Sequence, residues 1–338
     1  MNSFEYANPT TTKEAAGMLA GQRGEVEILA GGTDLLSLMK NYVATPKRVV
    51  SLKGIKELGG ITSSAAGLRI GAMVTLEELH DHKAVHDDYH ALAHAAGSVP
   101  SQQIRNMGTV GGDLCQRPRC WYFRNGFGLL AKDHKGHPLV LGGDNRYHAI
   151  FGHPGSGIGA YYVHASSLAP ALITLGAKVR ITGSKGSREV ALANFFATPK
   201  KDGDRENVLM PNEIVTEIFI PAASKGMMTA TYEVRQREAL DWPLATASVA
   251  LRMTGDKVKS AHIVMGHVAP VPWTAHEAER WLAGQAITES TAAKAGEAAV
   301  SGAMPLSGNK YKVQLGSVAV KRALLAAVAE GKEGMHHG

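Results

Sequence analysis

The sequence predicts an α/β or α+β fold that is divided into two or three domains. The chain has 338 residues, which is more than one typical domain holds. Apolar residues make up 44% of the chain and charged residues 20%, an ordinary globular composition that argues against disorder and a coiled coil. Short apolar runs alternate with helix-like stretches, and this alternation is typical of sheets covered by helices.

The elements of the first 221 residues follow from that alternation. We predict a helix at 12–20, strands at 26–30, 48–52 and 68–72, a long helix at about 76–96, a helix at 168–175, and strands at 177–181, 188–192 and 213–221. Proline ends the last strand because it has no amide hydrogen to donate to the ladder. Residues 117–161 lack periodicity and are rich in glycine, so we expect an irregular excursion with a functional origin.

The pattern changes after Pro221. Strand-like runs at 245–253 and 260–266 are followed by alanine-rich helical stretches from about residue 275. We therefore predict a separate C-terminal α+β domain whose boundary lies near residues 222–226.

Charge and cysteine content exclude several classes of protein. The formal net charge is only +6, and the basic residues are scattered, which does not indicate nucleic-acid binding. The two cysteines, Cys115 and Cys120, are too few for a disulfide scaffold or a site of four thiolates. No run approaches a membrane span and no export signal is evident. We expect a soluble cytoplasmic protein, or a periplasmic one if a partner's signal carries the assembly across the membrane.

Two glycine segments are the candidate binding sites. The first, AGGTDL at 30–35, follows an apolar strand and precedes a helix; the second is IRNMGTVGGDL at 104–114. Glycine lets a ligand approach the backbone, and free N–H groups at such turns bind phosphate. Plain tight turns would explain each segment equally well. Neither fits the dinucleotide fingerprint, and the P-loop, zinc-protease and serine-hydrolase motifs are absent.

Taken together and in this order, the two segments resemble the AGGTDL-like and IRNxGTVGGD-like loops of the FAD-binding subunit in the xanthine dehydrogenase family of molybdenum hydroxylases. The resemblance extends over nearly the whole chain. It continues through residues 166–177, 194–196, 209–215, 232–242 and 264–273.

The resemblance implies an α+β fold of the vanillyl-alcohol-oxidase (PCMH-like) type, in which two subdomains clamp an extended FAD. The implied domains are 1–57 and 58–223, the latter with an irregular insertion at about 117–161, and 224–330, a C-terminal α+β domain of the CO-dehydrogenase-flavoprotein type.

The resemblance also implies the cofactor site. The residues expected to contact FAD are Leu29, Ala30, Gly31, Gly32, Thr33, Asp34, Leu35, Val99, Pro100, Gly108, Thr109, Gly111, Gly112, Asp113, Gln116, Ser167, Leu209, Met210 and Arg235. Relatives often carry aspartate where Ser167 stands, so a hydrogen bond to FAD would be made by the hydroxyl or be weaker. We expect no catalytic acid–base residue and no metal ligand. We also expect valine at Gly32 or Gly111 to occupy the space of the diphosphate and abolish FAD retention while folding largely survives.

The irregular insertion resembles a segment that binds a [4Fe–4S] cluster in a subgroup of relatives, which includes bacterial periplasmic aldehyde oxidoreductases and 4-hydroxybenzoyl-CoA reductases. That cluster needs four cysteines, and only Cys120 matches a ligand position. We therefore expect no [4Fe–4S] cluster in this chain.

The activity implied by the resemblance is electron transfer. A partner subunit with the molybdenum cofactor would oxidise an aldehyde, an N-heterocycle or xanthine, a small subunit would carry the electrons through [2Fe–2S] clusters, and the FAD of this chain would pass them to an acceptor. The alternatives are a non-enzymatic scaffold subunit with a degenerate flavin site and a free-standing flavin oxidase. No nucleic-acid or membrane partner is expected.

Overall fold

The protein is built around three sheets, as seen in a computed structural model that describes residues 1–19, 21–237 and 241–335. The first sheet is parallel, in the order β1-β3-β2. Its elements are β1 (Glu5–Ala7), α1 (Thr12–Met18), β2 (Val26–Leu29), α2 (Leu35–Lys40) and β3 (Arg48–Ser51). Alternate residues of β3 pack on the apolar face of α1, giving a small core around Val50 and Ala15.

The second sheet is antiparallel and has five strands, in the order β4-β5-β8-β6-β7. Its elements are β4 (Ile61–Ser64), β5 (Gly67–Gly71), α3 (Leu76–Asp81), α4 (Lys83–Asp88), α5 (His90–Gly97), α6 (Gln102–Met107), α7 (Val110–Cys115), α8 (Trp121–Arg124), α9 (Leu139–Gly142), α10 (Leu168–Thr174), β6 (Lys178–Gly183), β7 (Gly186–Ala191) and β8 (Glu213–Pro221). Helices α5, α7 and α10 cover one face of this sheet and enclose the largest N-terminal core.

The third sheet belongs to the C-terminal part and is antiparallel, in the order β12-β11-β10-β9. Its elements are β9 (Met228–Val234), β10 (Ala245–Thr254), β11 (Lys257–Gly266), β12 (Trp273–Thr274), α11 (His276–Leu282), α12 (Glu289–Ala299) and α13 (Tyr311–Met335). Alanines and glycines let α12 and α13 approach closely: a Cβ on Gly296 would lie 2.4 Å from the carbonyl oxygen of Ser317.

Most predicted elements agree with the structure to within a few residues, and the strand at 213–221 agrees at both ends. The long helix predicted at about 76–96 is wrong. Three short helices replace it, because the chain turns extended at His82 and again departs from helical geometry at the buried Tyr89. The second glycine segment is also more regular than expected, since it forms α6 and α7.

The three sheets support the predicted division at 1–57, 58–223 and 224–330, which stays a prediction. Helices α5 and α10 share the buried core of the second sheet and also contact strands of the third, so the parts share buried contacts. Among the residues described, no helix combines the length and the apolar character needed to cross a bilayer.

Candidate cofactor-binding site

A cavity of about 700 Å³ lies where the first two sheets meet, with residues of the C-terminal part at its edge. Its volume is within the range of sites that hold organic cofactors. Among the predicted site residues, all but one line it: Ala30, Gly31, Gly32, Thr33, Asp34, Leu35, Val99, Pro100, Gly108, Thr109, Gly111, Gly112, Asp113, Gln116, Ser167, Leu209, Met210 and Arg235. The exception is Leu29, whose side chain lies against Gly32, within 3.2 Å of where a Cβ would stand.

The loop after β2 presents a row of free backbone donors to this cavity. Gly32 adopts a φ of 84°, in the left-handed region that glycine reaches without strain. Within the described residues, the N–H groups of Gly31, Gly32, Thr33 and Asp34 meet no hydrogen-bond acceptor. Successive amides without partners form a concave nest that binds anions.

The two glycine segments touch each other. A Cβ on Gly31 would stand 1.8 Å from the carbonyl oxygen of Met107, a distance that no side chain could tolerate. The first segment therefore needs glycine at position 31 because the second segment packs against its backbone. This contact links the two segments into one site.

The second segment contributes shape rather than free donors. Thr109 caps α7 by accepting a hydrogen bond from Gly112 at 3.1 Å. The N–H of Val110 donates to the carbonyl of Val74 at 2.9 Å, and the N–H of Gly111 donates to the carbonyl of Ala72 at 2.8 Å. The two successive glycines allow close packing, because a Cβ on Gly112 would stand 2.9 Å from the Thr109 hydroxyl oxygen.

The expectation that valine at Gly111 would occupy the space of the diphosphate is wrong. A Cβ on Gly111 would point at Ala72, 2.9 Å from its Cβ, and not into the cavity. Valine at this position would therefore disturb the packing of α7 on the end of β5, so we expect it to damage folding as well as flavin retention.

Asp113 holds the second segment to the start of α10. Its carboxylate accepts hydrogen bonds from the Ser166 hydroxyl, from the N–H of Leu168 at 3.2 Å and from the Gln116 side chain at 2.8 Å. Only 7% of the residue is exposed. Burial raises the pKa of Asp113 to about 6, although the hydrogen bonds from Ser166 and Leu168 oppose the shift.

Asp34 ties the start of the irregular insertion to the first loop. Its carboxylate pairs with Arg119 and with Arg124, the latter at 2.7 Å, and accepts a hydrogen bond from the N–H of Arg117 at 2.8 Å. Burial would raise the pKa of Asp34, but the two guanidinium groups and the N–H bond outweigh it and hold the pKa below its usual value.

Arginines around the cavity are lining residues that were not expected from the sequence. Besides the predicted Arg235, five arginines line it: Arg23, Arg117, Arg119, Arg124 and Arg205. Glu206, which is buried, pairs with both Arg117 and Arg205. The run of arginines directly after the second glycine segment was the available signal, because such cations suit a phosphate-rich ligand.

The remaining predicted residues fill defined positions. Arg235 pairs with Glu233 and donates to the carbonyl of Ser98, so it braces the wall that holds Val99 and Pro100. Leu209 is fixed by Arg23, which donates to its carbonyl at 2.6 Å, while Met210 is more than half exposed at the rim. Ser167 lines the cavity at the start of α10.

The residues present fit FAD. An elongated cavity wall that combines an amide nest, several guanidinium groups and apolar patches matches a molecule with a diphosphate between flat rings. Among the described residues, no group of three histidine, cysteine or carboxylate side chains is placed to hold a metal ion. Cys115 lies at the cavity wall, and burial raises the pKa of its thiol to about 12, which disfavours the thiolate.

Comparison with known proteins agrees with this geometry. Residues 2–223 match the family model of the FAD binding domain in molybdopterin dehydrogenase, and residues 230–327 match the CO dehydrogenase flavoprotein C-terminal domain. The chain is 32% identical to the FAD-binding subunit of an aldehyde oxidoreductase from Escherichia coli K12, over 98% of this chain and 99% of that relative. It is 30% identical to the carbon monoxide dehydrogenase medium chain of Hydrogenophaga pseudoflava, over 96% and 97% of the two chains.

Solved structures show the same fold. A chain of quinoline 2-oxidoreductase from Pseudomonas putida 86 superposes with a TM-score of 0.74 at 25% identity, with 98% of both chains covered. A chain of CO dehydrogenase from Oligotropha carboxidovorans gives a TM-score of 0.75 at 26% identity, with 97% and 98% covered. The predicted fold class, family and cofactor are confirmed. This chain belongs to the family of FAD-binding medium subunits of the molybdenum hydroxylases, and is an oxidoreductase flavoprotein.

Proposed function

We propose that this chain holds FAD in the cavity between its first two sheets and relays electrons from the iron–sulfur clusters of a partner subunit to an external acceptor. The observation that carries the proposal is the row of N–H groups at 31–34 without partners, which opens into a cavity of cofactor size. An unsatisfied amide row is costly unless water or an anion accepts its hydrogen bonds.

Each wall of the cavity has its own part in this proposal. The amides of 31–34 would bind the diphosphate, and Gly112 of α7 lines the cavity next to Ala30. Leu209 and Met210 would pack near the ring system, in the cavity that Val99 and Pro100 also line. Asp34 acts as a positioning residue, since its carboxylate is already engaged by Arg119 and Arg124.

Bound flavin supplies one- and two-electron chemistry, and the protein supplies placement and a controlled environment. The carboxylates of Asp34 and Asp113, which belong to the two glycine segments, are engaged in ion pairs or hydrogen bonds within the wall. Neither is placed as a free acid or base. This supports electron transfer rather than substrate chemistry at the flavin of this chain.

The proposed partners are a large subunit with the molybdenum cofactor and a small [2Fe–2S] subunit. Several relatives carry names that mark them as one chain of a larger enzyme, such as the medium chain of carbon monoxide dehydrogenase and the FAD-binding subunit of xanthine dehydrogenase. The proposed location is the cytoplasm, or the periplasm if a partner's signal carries the assembly; cell fractionation checks it.

The test is co-expression of the chain with candidate molybdenum and [2Fe–2S] subunits. We expect one complex in size-exclusion chromatography, and reduction of its flavin by the substrate of the molybdenum subunit only when the [2Fe–2S] subunit is present. A chain that stays alone contradicts the assembly. Flavin reduced by substrate without the iron–sulfur subunit would indicate a flavin oxidase, and a chain that purifies without flavin would indicate a scaffold.

A further inference from the structure

A second cavity of about 190 Å³ adjoins the first. Arg119, Trp242 and Pro243 line both cavities, and the guanidinium of Arg119 lies over the Trp242 ring, 4.5 Å from its centre. The side chains of Trp121 and Tyr147 form further aromatic wall, with their ring centres 5.5 Å apart. A cavity of about 150 Å³ holds benzene in another protein, so this one has room for a single substituted ring.

Polar atoms without partners are concentrated at this cavity. Four of the residues that line it have a buried side-chain nitrogen or oxygen with no hydrogen-bond partner among the described residues: Arg119, His148, Tyr162 and His267. The backbone of Asn145 lies near the His148 ring and that of Ala165 near the His267 ring, but neither contact meets the geometry of a hydrogen bond. The Tyr162 hydroxyl has no such neighbour, and only 2% of that residue is exposed. Buried polar groups in this state indicate a missing ligand or water.

A buried lysine borders the same cavity. Lys312 is 1% exposed, and its ammonium donates to the carbonyls of His267 at 2.7 Å, of His148 at 3.1 Å and of Tyr147 at 3.4 Å. In the described part of the chain, the partners of this ammonium are those three carbonyls, with no carboxylate among them. It also lies in the first turn of the 25-residue helix α13, where the helix dipole is positive. A negative charge nearby would stabilise the buried ammonium and would interact favourably with the positive end of the helix dipole.

The other charges in the wall are weaker at this point. Arg119 is paired with Asp34 on the side of the first cavity. Asp241 is half-buried, and its carboxylate accepts a hydrogen bond from the N–H of Trp242 at 2.9 Å. Burial lowers the pKa of His148 to about 4 and that of His267 to about 3, so both rings are neutral near pH 7. Burial also lowers the pKa of Lys312 to about 7, so its ammonium and amine forms are both populated near pH 7, and a carboxylate bound nearby would favour the ammonium.

We propose that the second cavity binds a monocyclic aromatic carboxylate of the benzoate class. The ring would pack against the aromatic wall formed by Trp121 and Trp242. The carboxylate would accept hydrogen bonds from the Tyr162 hydroxyl and the His267 ring, within the field of Lys312. The ligand would be separated from the first cavity by residues that line both, Arg119, Trp242 and Pro243.

The test is calorimetric titration of the purified, flavin-containing chain with benzoate, with benzamide as the neutral analogue. We expect saturable benzoate binding that is about tenfold tighter than that of benzamide, since a charged acceptor strengthens each hydrogen bond. Tyr162→Phe and Lys312→Met should each weaken benzoate binding about tenfold. Asp241→Asn should tighten it, because it removes a negative charge from the wall.

A matched control is Tyr311→Phe, since Tyr311 is next to Lys312 in the chain but donates to the Arg146 carbonyl outside the cavity. It should leave benzoate affinity unchanged. The inference is overturned if benzoate gives no saturable heat, if benzamide binds equally well, or if Tyr162→Phe has no effect on affinity.

Thermal unfolding of Tyr162→Phe tests the proposal even if Lys312→Met does not fold. Without ligand, Tyr162→Phe should melt no lower than the wild type, because its hydroxyl has no hydrogen-bond partner among the described residues. Benzoate should raise the melting temperature of the wild type more than that of the variant. A lower melting temperature of the unliganded variant would show that the hydroxyl has a structural partner, and would overturn the proposal.

Discussion

At the scale of single residues, Gly31 decides whether the two loops can meet. A Cβ there would overlap the carbonyl of Met107, which is backbone and cannot rotate away. We expect Gly31→Ala to lower the free energy of unfolding by about 2–3 kcal/mol, the size of an overpacked contact, and to purify without flavin. Gly17→Ala is the control, since nothing lies within 4 Å of a Cβ at that position in α1.

The control should keep its flavin and gain about 0.5 kcal/mol, because alanine is the better helix residue. Flavin absorbance of the purified variants and their chemical denaturation measure both effects. A Gly31→Ala variant with full flavin content would show that the contact between the loops is not needed for the site.

Asp113 predicts a pH dependence of stability. Its pKa is raised in the folded protein from 3.8 to about 6 by burial, so its contribution to stability is complete below about pH 4 and is lost as the pH rises through about 6. Relative to Asp113→Asn, the wild type should therefore lose stability between about pH 4 and pH 6, by about 3 kcal/mol at most, and then change in parallel with the variant. Denaturation of both proteins across this range tests the sign. Parallel curves from pH 4 upward would contradict the raised pKa.

The glycine segments could be found from the sequence because their spacing and order are local. The arginines could not be assigned in the same way, because nothing local says that Arg23 and Arg205 face the same cavity as Arg119. Their convergence depends on how the first sheet meets the second. The orphaned hydroxyl of Tyr162 was equally invisible, since an unpaired polar group is a property of the packed structure.

At the scale of elements, the short segment from Arg117 to Arg124 acts as a clamp between the first loop and the insertion. Asp34 receives two guanidinium groups and one N–H from this segment, and all three partners are largely buried. We expect Asp34→Asn to lower the free energy of unfolding by about 2–3 kcal/mol and to speed proteolysis within 117–161, because the arginines lose their counter-charge.

The comparison for this prediction is Asp144→Asn, a change within the insertion itself, where the ion pair of Asp144 with Arg146 is exposed. Exposed pairs contribute little, so its stability should change by less than about 0.5 kcal/mol. Limited proteolysis with mass analysis of the fragments locates the first cuts. Equal cleavage rates in the two variants would show that Asp34 does not hold the insertion.

Element types were easier to predict than the breaks between elements. The helical pattern at 76–96 is continuous in apolar periodicity, yet the chain leaves helical geometry at His82 and Tyr89. Tyr89 is buried and its carbonyl accepts the N–H bonds of Leu92 and Ala93, so it starts a new helix toward the core. Tertiary packing outweighs a helical pattern when a large side chain reaches the core only from a bend.

At the scale of the whole molecule, the insertion is anchored to the C-terminal part and is not a loose excursion. The N–H of Met304 donates to the carbonyl of Ile150 at 2.7 Å, and the Asn309 side chain donates to the carbonyl of His148 at 3.0 Å. The sequence predicted the irregularity of 117–161 but not this anchoring, which joins residues about 150 positions apart. The insertion thus connects the cofactor cavity with α13.

The cysteine content of the whole chain predicts that it holds no iron–sulfur cluster. A [4Fe–4S] cluster needs four ligands of the right geometry, usually thiolates. The chain has two cysteines, and the thiol of Cys120 lies 3.2 Å from the His148 ring, with its pKa raised by burial. Such a thiol is a poor source of thiolate. We therefore expect the purified chain to contain flavin, with iron and acid-labile sulfide at background.

Anaerobic purification, followed by iron and sulfide analysis and by EPR after reduction, measures this outcome. Cys120→Ser is the matched variant, and it should leave the visible spectrum unchanged, since flavin alone would absorb. About four irons per chain, with acid-labile sulfide that disappears in Cys120→Ser, would show that histidines complete a cluster around this thiol. In that case the second cavity would belong to a redox centre, and this chain would contain a second electron carrier in addition to the flavin.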